Sequence, residues 1–143
     1  MKKISLLLVL LAVIAFNSYS QCDKKVILTS SITEHLIGDT TVERTVEEHT
    51  KIEFDKNNIT ISPGNEDHTM TGTIKSISCN WSTPFKEGKM VLKVTLVHDG
   101  NQTMDVTITI IGKDGKISFL AEIDQQQDKK IRLVVDKFEE KAS

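Results

Sequence analysis

Between Gly88 and Ile123 the chain repeats one pattern three times: apolar and polar residues alternate one by one. In residues 89–97 the alternating apolar set is Met90, Leu92, Val94 and Leu96. In residues 103–111 it is Met104, Val106, Ile108 and Ile110, and in residues 116–123 it is Ile117, Phe119, Ala121 and Ile123. A period of two belongs to a strand, whose side chains point alternately to opposite faces, so each run predicts a strand with one buried side. Thr103, Asp105, Thr107 and Thr109 fall on the other parity, and β-branched threonines suit a pleated face in contact with water.

The connections between the runs predict how they pair. With Asp114-Gly115 as the centre of a type I′ turn, Lys113 lies opposite Lys116, and Ile110, Ile108 and Val106 fall opposite Phe119, Ala121 and Ile123. With Asp99-Gly100-Asn101 as a three-residue loop, Leu96 falls opposite Met104 and Val94 opposite Val106. A two-residue loop there would set apolar against polar residues. An antiparallel meander satisfies both turns.

The same reading extends along the chain. Residues 25–33 form a first strand with Val26 and Leu28 inward, and Gly38-Asp39 is a turn. Residues 41–55 form a long charged strand at an exposed face or edge, in preference to a helix, and Ile59 and Ile61 mark a short return strand. In residues 69–81, Met70 and Ile74 share one parity and Ile77, Cys79 and Trp81 the other, which predicts a bulge or switch of sides near Ser76. Residues 130–136 form the last strand, with a loop centred on Gln127, Ile123 opposite Ile131, and a fraying tail from Lys137. The sum is an all-β chain of about eight antiparallel strands without a convincing helix. It buries its apolar face by closing into an up-and-down barrel or half-barrel, or by packing two sheets.

The first twenty residues stand apart. Lys2 and Lys3 precede an apolar run from Ile4 to Phe16, and Asn17-Ser18-Tyr19-Ser20 ends in small residues. That is the layout of a secretory signal peptide, residues 1–20, followed by one domain, residues 21–143. The run is too short to cross a bilayer comfortably, and no other stretch predicts a transmembrane segment. Removing Lys2 and Lys3 from 18 basic residues leaves 16 against 20 acidic ones, a net charge of −4. With few aromatic residues, that balance argues against nucleic-acid binding. Export to the periplasm or medium makes a disulfide between Cys22 and Cys79, the only cysteines, a reasonable expectation. The alternative for Cys22 is a lipid anchor.

Chemistry is sparsely marked. There is no nucleophile elbow, phosphate loop or dinucleotide fingerprint, so no catalytic residue is assigned and an enzyme is disfavoured. His35, His49, His68 and His98 show no metal spacing and read as surface residues. Glu47-Glu48-His49 and Glu66-Asp67-His68 alternate faces, as adjacent strand residues do. No metal or cofactor is expected. Two surfaces remain. The inward face mixes large residues with small ones, Ser30, Gly72 and Ala121, which either leave a cavity or are matched by bulky neighbours. Its candidate ligand-binding positions are Met70 and Gly72, then Leu92 and Val94, Val106 and Ile108, Phe119 and Ala121, and Leu133. Trp81 and Phe85 offer a candidate interaction edge, unless Trp81 plugs one end of the barrel.

The signal peptide with Gln21 at the mature end, the hairpin at Gly112–Lys116 and the closing strand at Lys129–Phe138 give the chain a layout that resembles the small exported lipocalin-like proteins of Bacteroidetes-type bacteria. The Gly-x-Trp signature of lipocalin first strands is missing, since the only tryptophan is Trp81. The resemblance implies a barrel that holds a small hydrophobic molecule. The leading expectation is therefore an exported, non-enzymatic ligand-binding protein. The alternative is a protein-interaction or inhibitor-like module with a filled core, working through Trp81–Phe85 or the charged strand at Glu43–Lys51.

Overall fold

The computed structural model describes residues 24–38, 41–64, 68–98 and 101–141. The expected signal peptide and Cys22 lie outside them. The described chain forms eight strands: β1 (Val26–Ile37), β2 (Thr41–Phe54), β3 (Asn58–Ser62), β4 (Met70–Thr83), β5 (Glu87–His98), β6 (Gln102–Lys113), β7 (Lys116–Ile123) and β8 (Gln126–Glu140). Each strand pairs antiparallel with the next, and β8 returns to β1, so the sheet closes into an up-and-down barrel.

The meander has the register that the alternation predicts. Leu96 faces Met104 and Val94 faces Val106 across β5–β6. Lys113 faces Lys116, and Ile110, Ile108 and Val106 face Phe119, Ala121 and Ile123. Asp114 and Gly115 both have positive φ, 55° and 76°, as a type I′ turn demands. In β4 the pairing slips between Ile74 and Ser76, which keeps Ile77 and Cys79 on the inner face opposite Leu92 and Met90. The charged residues of β2 are strand, and they lie mostly exposed.

Three expectations need correction. β1 does not stop at Thr33 but runs on to Ile37. The tail does not fray at Lys137, because β8 continues to Glu140 and pairs with the start of β1. The last hairpin turns at Asp124-Gln125 rather than around Gln127, so Ile131 faces Ala121 and Leu133 faces Phe119. That slip is of two residues. It leaves every inward side chain inward, so alternation alone cannot detect it. What holds the observed turn lies on a different strand: the Asp124 N–H donates to the Asp105 carbonyl at 2.9 Å, and the Thr107 hydroxyl to Asp124 Oδ1 at 3.0 Å.

The core is the inner face of the barrel, with Leu28, Ile52, Ile59, Met90, Leu92, Val94, Ile108 and Ile110 at most 2% exposed. Burying each such side chain contributes about 1.5–3 kcal/mol. On the outer face, Arg132 of β8 clasps Glu34 of β1 with two hydrogen bonds of 3.1 Å, directly across the closing pair. The Arg132 hydrogen bond holds the Glu34 carboxyl below its ordinary value, and burial opposes this only partly.

Gly88 is the tightest backbone position. Its φ is +142°, and a Cβ there would lie 2.3 Å from the Asn80 carbonyl oxygen and 2.6 Å from the Trp81 Cα. A glycine at Gly88 therefore lets β4 and β5 approach beneath the Trp81 ring.

Two predictions follow from this architecture. Gly88→Ala should lose about 2–5 kcal/mol through strain plus overpacking, whereas Gly115→Ala, whose Cβ meets open space, should lose only about 1–2 kcal/mol. Urea unfolding of both variants checks the difference. Because the Glu34 value is lowered on folding, its contribution is present above the unfolded carboxylate value and vanishes as pH falls through the folded one. Arg132 is 41% exposed, so solvent screening limits that contribution to about 1 kcal/mol or less. The unfolding midpoint of Glu34→Gln should lie below wild type at pH 7 and converge with it only once the pH has fallen below the lowered carboxyl value of the folded chain.

Candidate functional site

The two ends of the barrel differ. At the end where β1 begins and β8 finishes, three aromatic rings stack across the opening. Phe85 meets Phe138 edge-on with centroids 5.1 Å apart, and Trp81 lies 5.9 Å from Phe138. Trp81 is 5% exposed and Phe85 half-buried. Both belong to a plug, and Trp81 presents no free face for stacking. Cys79, one inward step from Trp81, is half-buried against the core and is not a free thiol.

At the opposite end the barrel holds an apolar cavity of about 170 Å³. Its floor is Ile52, Ile108, Phe119 and Leu133, its walls include Met70, Leu96, Met104, Val106, Ala121 and Ile131, and Ile61 and Pro63 close one side. The opening has a topological cause. β3 pairs with β2 only over Lys51–Phe54, so among the described residues the first part of β2 has a ladder partner on β1 alone.

Of the nine positions expected to bind a ligand, Met70, Val106, Ile108, Phe119, Ala121 and Leu133 line this cavity. Gly72, Leu92 and Val94 do not. Leu92 and Val94 are packed in the solid part of the core, and the space beside Gly72 is taken by Leu96 Cδ2 and Val94 Cγ1, 2.8 and 3.0 Å from where its Cβ would stand.

The polar members of the wall, Thr33, His35, Glu48 and Thr50, are absent from those nine. Alternation along β1 puts Val26, Leu28 and Ser30 inward. A bulge between Ser30 and Ile32 then changes parity. The Ser30 hydroxyl holds it, donating to the Ile32 carbonyl at 2.9 Å and accepting from the Ile32 N–H at 3.3 Å. Thr33 and His35 thereby turn into the barrel. Nothing in the residue pattern announces this, because serine and isoleucine are ordinary strand residues. Thr33 is 5% exposed and its hydroxyl has no hydrogen-bond partner. A buried polar group in that state costs about 1–3 kcal/mol.

His35 is therefore a half-buried wall residue, not a surface one. Arg44, its cross-strand neighbour, approaches with Nη2 3.2 Å from His35 Nε2. A guanidinium only donates, so Nε2 is the acceptor in this contact. His35, Ile123 and Ile131 also line a second cleft of about 480 Å³ on the rim, which adds Leu36, Glu43, Arg44, Lys129 and Lys130. Lys130 Nζ lies 4.0 Å from Glu122 Oε1. Glu47 and His49 are exposed while Glu48 faces the cavity, and among the described residues no three ligating side chains are grouped to hold a metal ion.

No family model, curated protein or solved structure matches this chain. Likeness to lipocalin-like proteins therefore rests on the architecture: an eight-stranded antiparallel barrel is compatible with that fold.

The bulge makes opposite predictions for two neighbouring hydroxyls. Thr33→Val, which removes an unpartnered group at constant shape, should raise stability by about 1 kcal/mol. Ser30→Ala, which strips the bulge of both its hydrogen bonds, should lower stability by about 1–2 kcal/mol. Paired denaturant titrations with equal m-values would check both.

Proposed function

We propose that the protein is an exported, non-enzymatic carrier that takes a small apolar molecule into the open mouth of its barrel. The observation that supports this most is the cavity of about 170 Å³ between Ile52, Ile108, Phe119 and Leu133. An apolar cavity of about 150 Å³ is enough to hold benzene, whereas drug-sized ligands occupy about 300–1,000 Å³. The ligand is thus a single ring or a short alkyl chain. Each methylene it buries contributes about 0.8 kcal/mol. The almost wholly apolar wall suits binding better than chemistry, and the burial of Trp81 in the plug weighs against recognition of a protein through that edge.

The proposal includes the route outward. Residues 1–20 are removed as a signal peptide, and Cys22 is bridged to Cys79. This fits a described chain whose Cys79 is not a free thiol and whose β1 begins at the plugged end. Closing so long a loop would stabilise by about 4 kcal/mol in the chain-entropy picture.

Toluene is a suitable probe. Added to the mature protein, it should shift the amide resonances of Ile108, Ala121 and Leu133 and leave those of the plugged end in place. Ala121→Phe, which fills the cavity, should abolish the response. Unchanged spectra in saturating toluene would overturn the proposal. A denaturing mass spectrum of protein from its own source should show a chain starting at Gln21 and two hydrogens short of the reduced mass. A lipid-bearing Cys22 or a fully reduced mass would refute the processing scheme.

A further inference from the structure

The cavity and the rim cleft share His35, Ile123 and Ile131, so they form one continuous site with two chemical halves. The inner half is hydrocarbon. The outer half carries Arg44, Lys129 and Lys130 against Glu43, with Glu122 beside Lys130 and Glu48 further in on the cavity wall. Within the cleft itself Arg44, Lys129 and Lys130 outnumber Glu43, and Glu122 and Glu48 stand at its edges. On the cavity wall Thr33, 5% exposed and with its hydroxyl unpartnered, stands two residues from His35 on the same inner face of β1.

We infer that the ligand is a small amphiphile with a singly anionic head, such as a short-chain or aryl carboxylate. Its apolar body lies on Ile108, Phe119 and Leu133, and its head lies at Thr33, His35 and the Arg44 guanidinium. The inference rests on the carrier reading of the same cavity. Three features suit an anionic head, and Arg44 is the one that separates it from a neutral polar head. The Thr33 hydroxyl donates to a carboxylate oxygen and so gains the partner it lacks. His35 keeps its Nδ1–H as a second donor, because Arg44 already occupies Nε2. Arg44 offers a fork of donors suited to a carboxylate, and one guanidinium nitrogen engages His35 while the others remain. A neutral alcohol would satisfy Thr33 but gain nothing from the three cations.

The test compares octanoate with 1-octanol on the mature protein by calorimetry, with amide shifts of Thr33, His35 and Ala121 reporting the location. Octanoate should bind at least about tenfold more tightly than 1-octanol, the equivalent of one charge-assisted hydrogen bond. Arg44→Met should erase that preference. Thr33→Val should weaken octanoate by about tenfold. Raising the salt concentration on the wild-type chain, which needs no variant to fold, should weaken octanoate selectively. Equal binding of the two compounds, or a preference for octanoate that survives Arg44→Met and high salt, would overturn the anionic head while the apolar carrier stands. If octanoate, 1-octanol and toluene all leave the cavity amides unmoved, the carrier reading fails and this inference with it.

Discussion

The ladder between β1 and β8 is the constraint on which the rest depends. Eight strands with one apolar face have nowhere to put it unless the first and last strands meet, and they meet along nearly their whole lengths, from Val26 opposite Glu140 to Ile37 opposite Lys129. Closure turns one face of a sheet into an interior and pairs the backbone groups that an open edge would expose. It also explains why β8 runs on into the charged residues 137–140. Val26 and Leu28 are buried, and without partners at Glu140 and Phe138 the start of β1 would be an unsupported edge. The seam needs irregularity to close: pairing slips around Ser30 on both sides of β1, and such bulges bend a strand and sharpen its twist. The feature that lets the barrel close is thus the one that turns Thr33 and His35 inward.

Period-two alternation made most of the fold legible, and its blind spots have a common physical origin. It is sensitive to shifts of one residue and insensitive to shifts of two. The hairpins at Asp99–Asn101 and Asp114-Gly115 could be read because turn chemistry supplied the missing parity. The Asp124-Gln125 turn could not, because what pins it is a hydrogen bond to Asp105 on a third strand. The bulge at Ile74–Ser76 was visible because it reverses the parity of strongly apolar residues. The one at Ser30–Ile32 was hidden, because Thr33, Glu34 and His35 carry no apolar signal to reverse.

The same distinction separates the parts of the site. Met70, Val106, Ile108, Phe119, Ala121 and Leu133 lie on the cavity because they lie on the inner face, which the sequence reports. Which part of that face remains unfilled depends on the length of β3 and on the packing of neighbours, which the sequence does not report. Of the three small inward residues, Ala121 alone borders the cavity. Leu96 and Val94 take the room beside Gly72, and the Ser30 hydroxyl is turned to the backbone of its own bulge. A small residue is therefore weak evidence for a void, since interiors pack to crystal-like density wherever a neighbour can reach.

The two ends of the barrel divide stability from binding. At the plugged end, Gly88 permits close approach of β4 and β5, and three aromatic rings seal the opening. At the open end stand the unpartnered Thr33, the stretch of β2 that among the described residues pairs with β1 alone, and a wall with charges near it. Those features detract from stability, and a sequence selected for stability alone would replace Thr33 with valine and fill the space beside Ala121. Local departures from such consistency are expected where a chain has a second requirement to meet. At the plugged end the Trp81 indole N–H is also buried without a partner, but at the open end the departures face one cavity, over a floor of buried core residues. A rigid floor fixes the shape of a small ligand's apolar body, and a rim of long charged side chains adapts to its head. The asymmetry of the barrel therefore carries more functional meaning than its topology does.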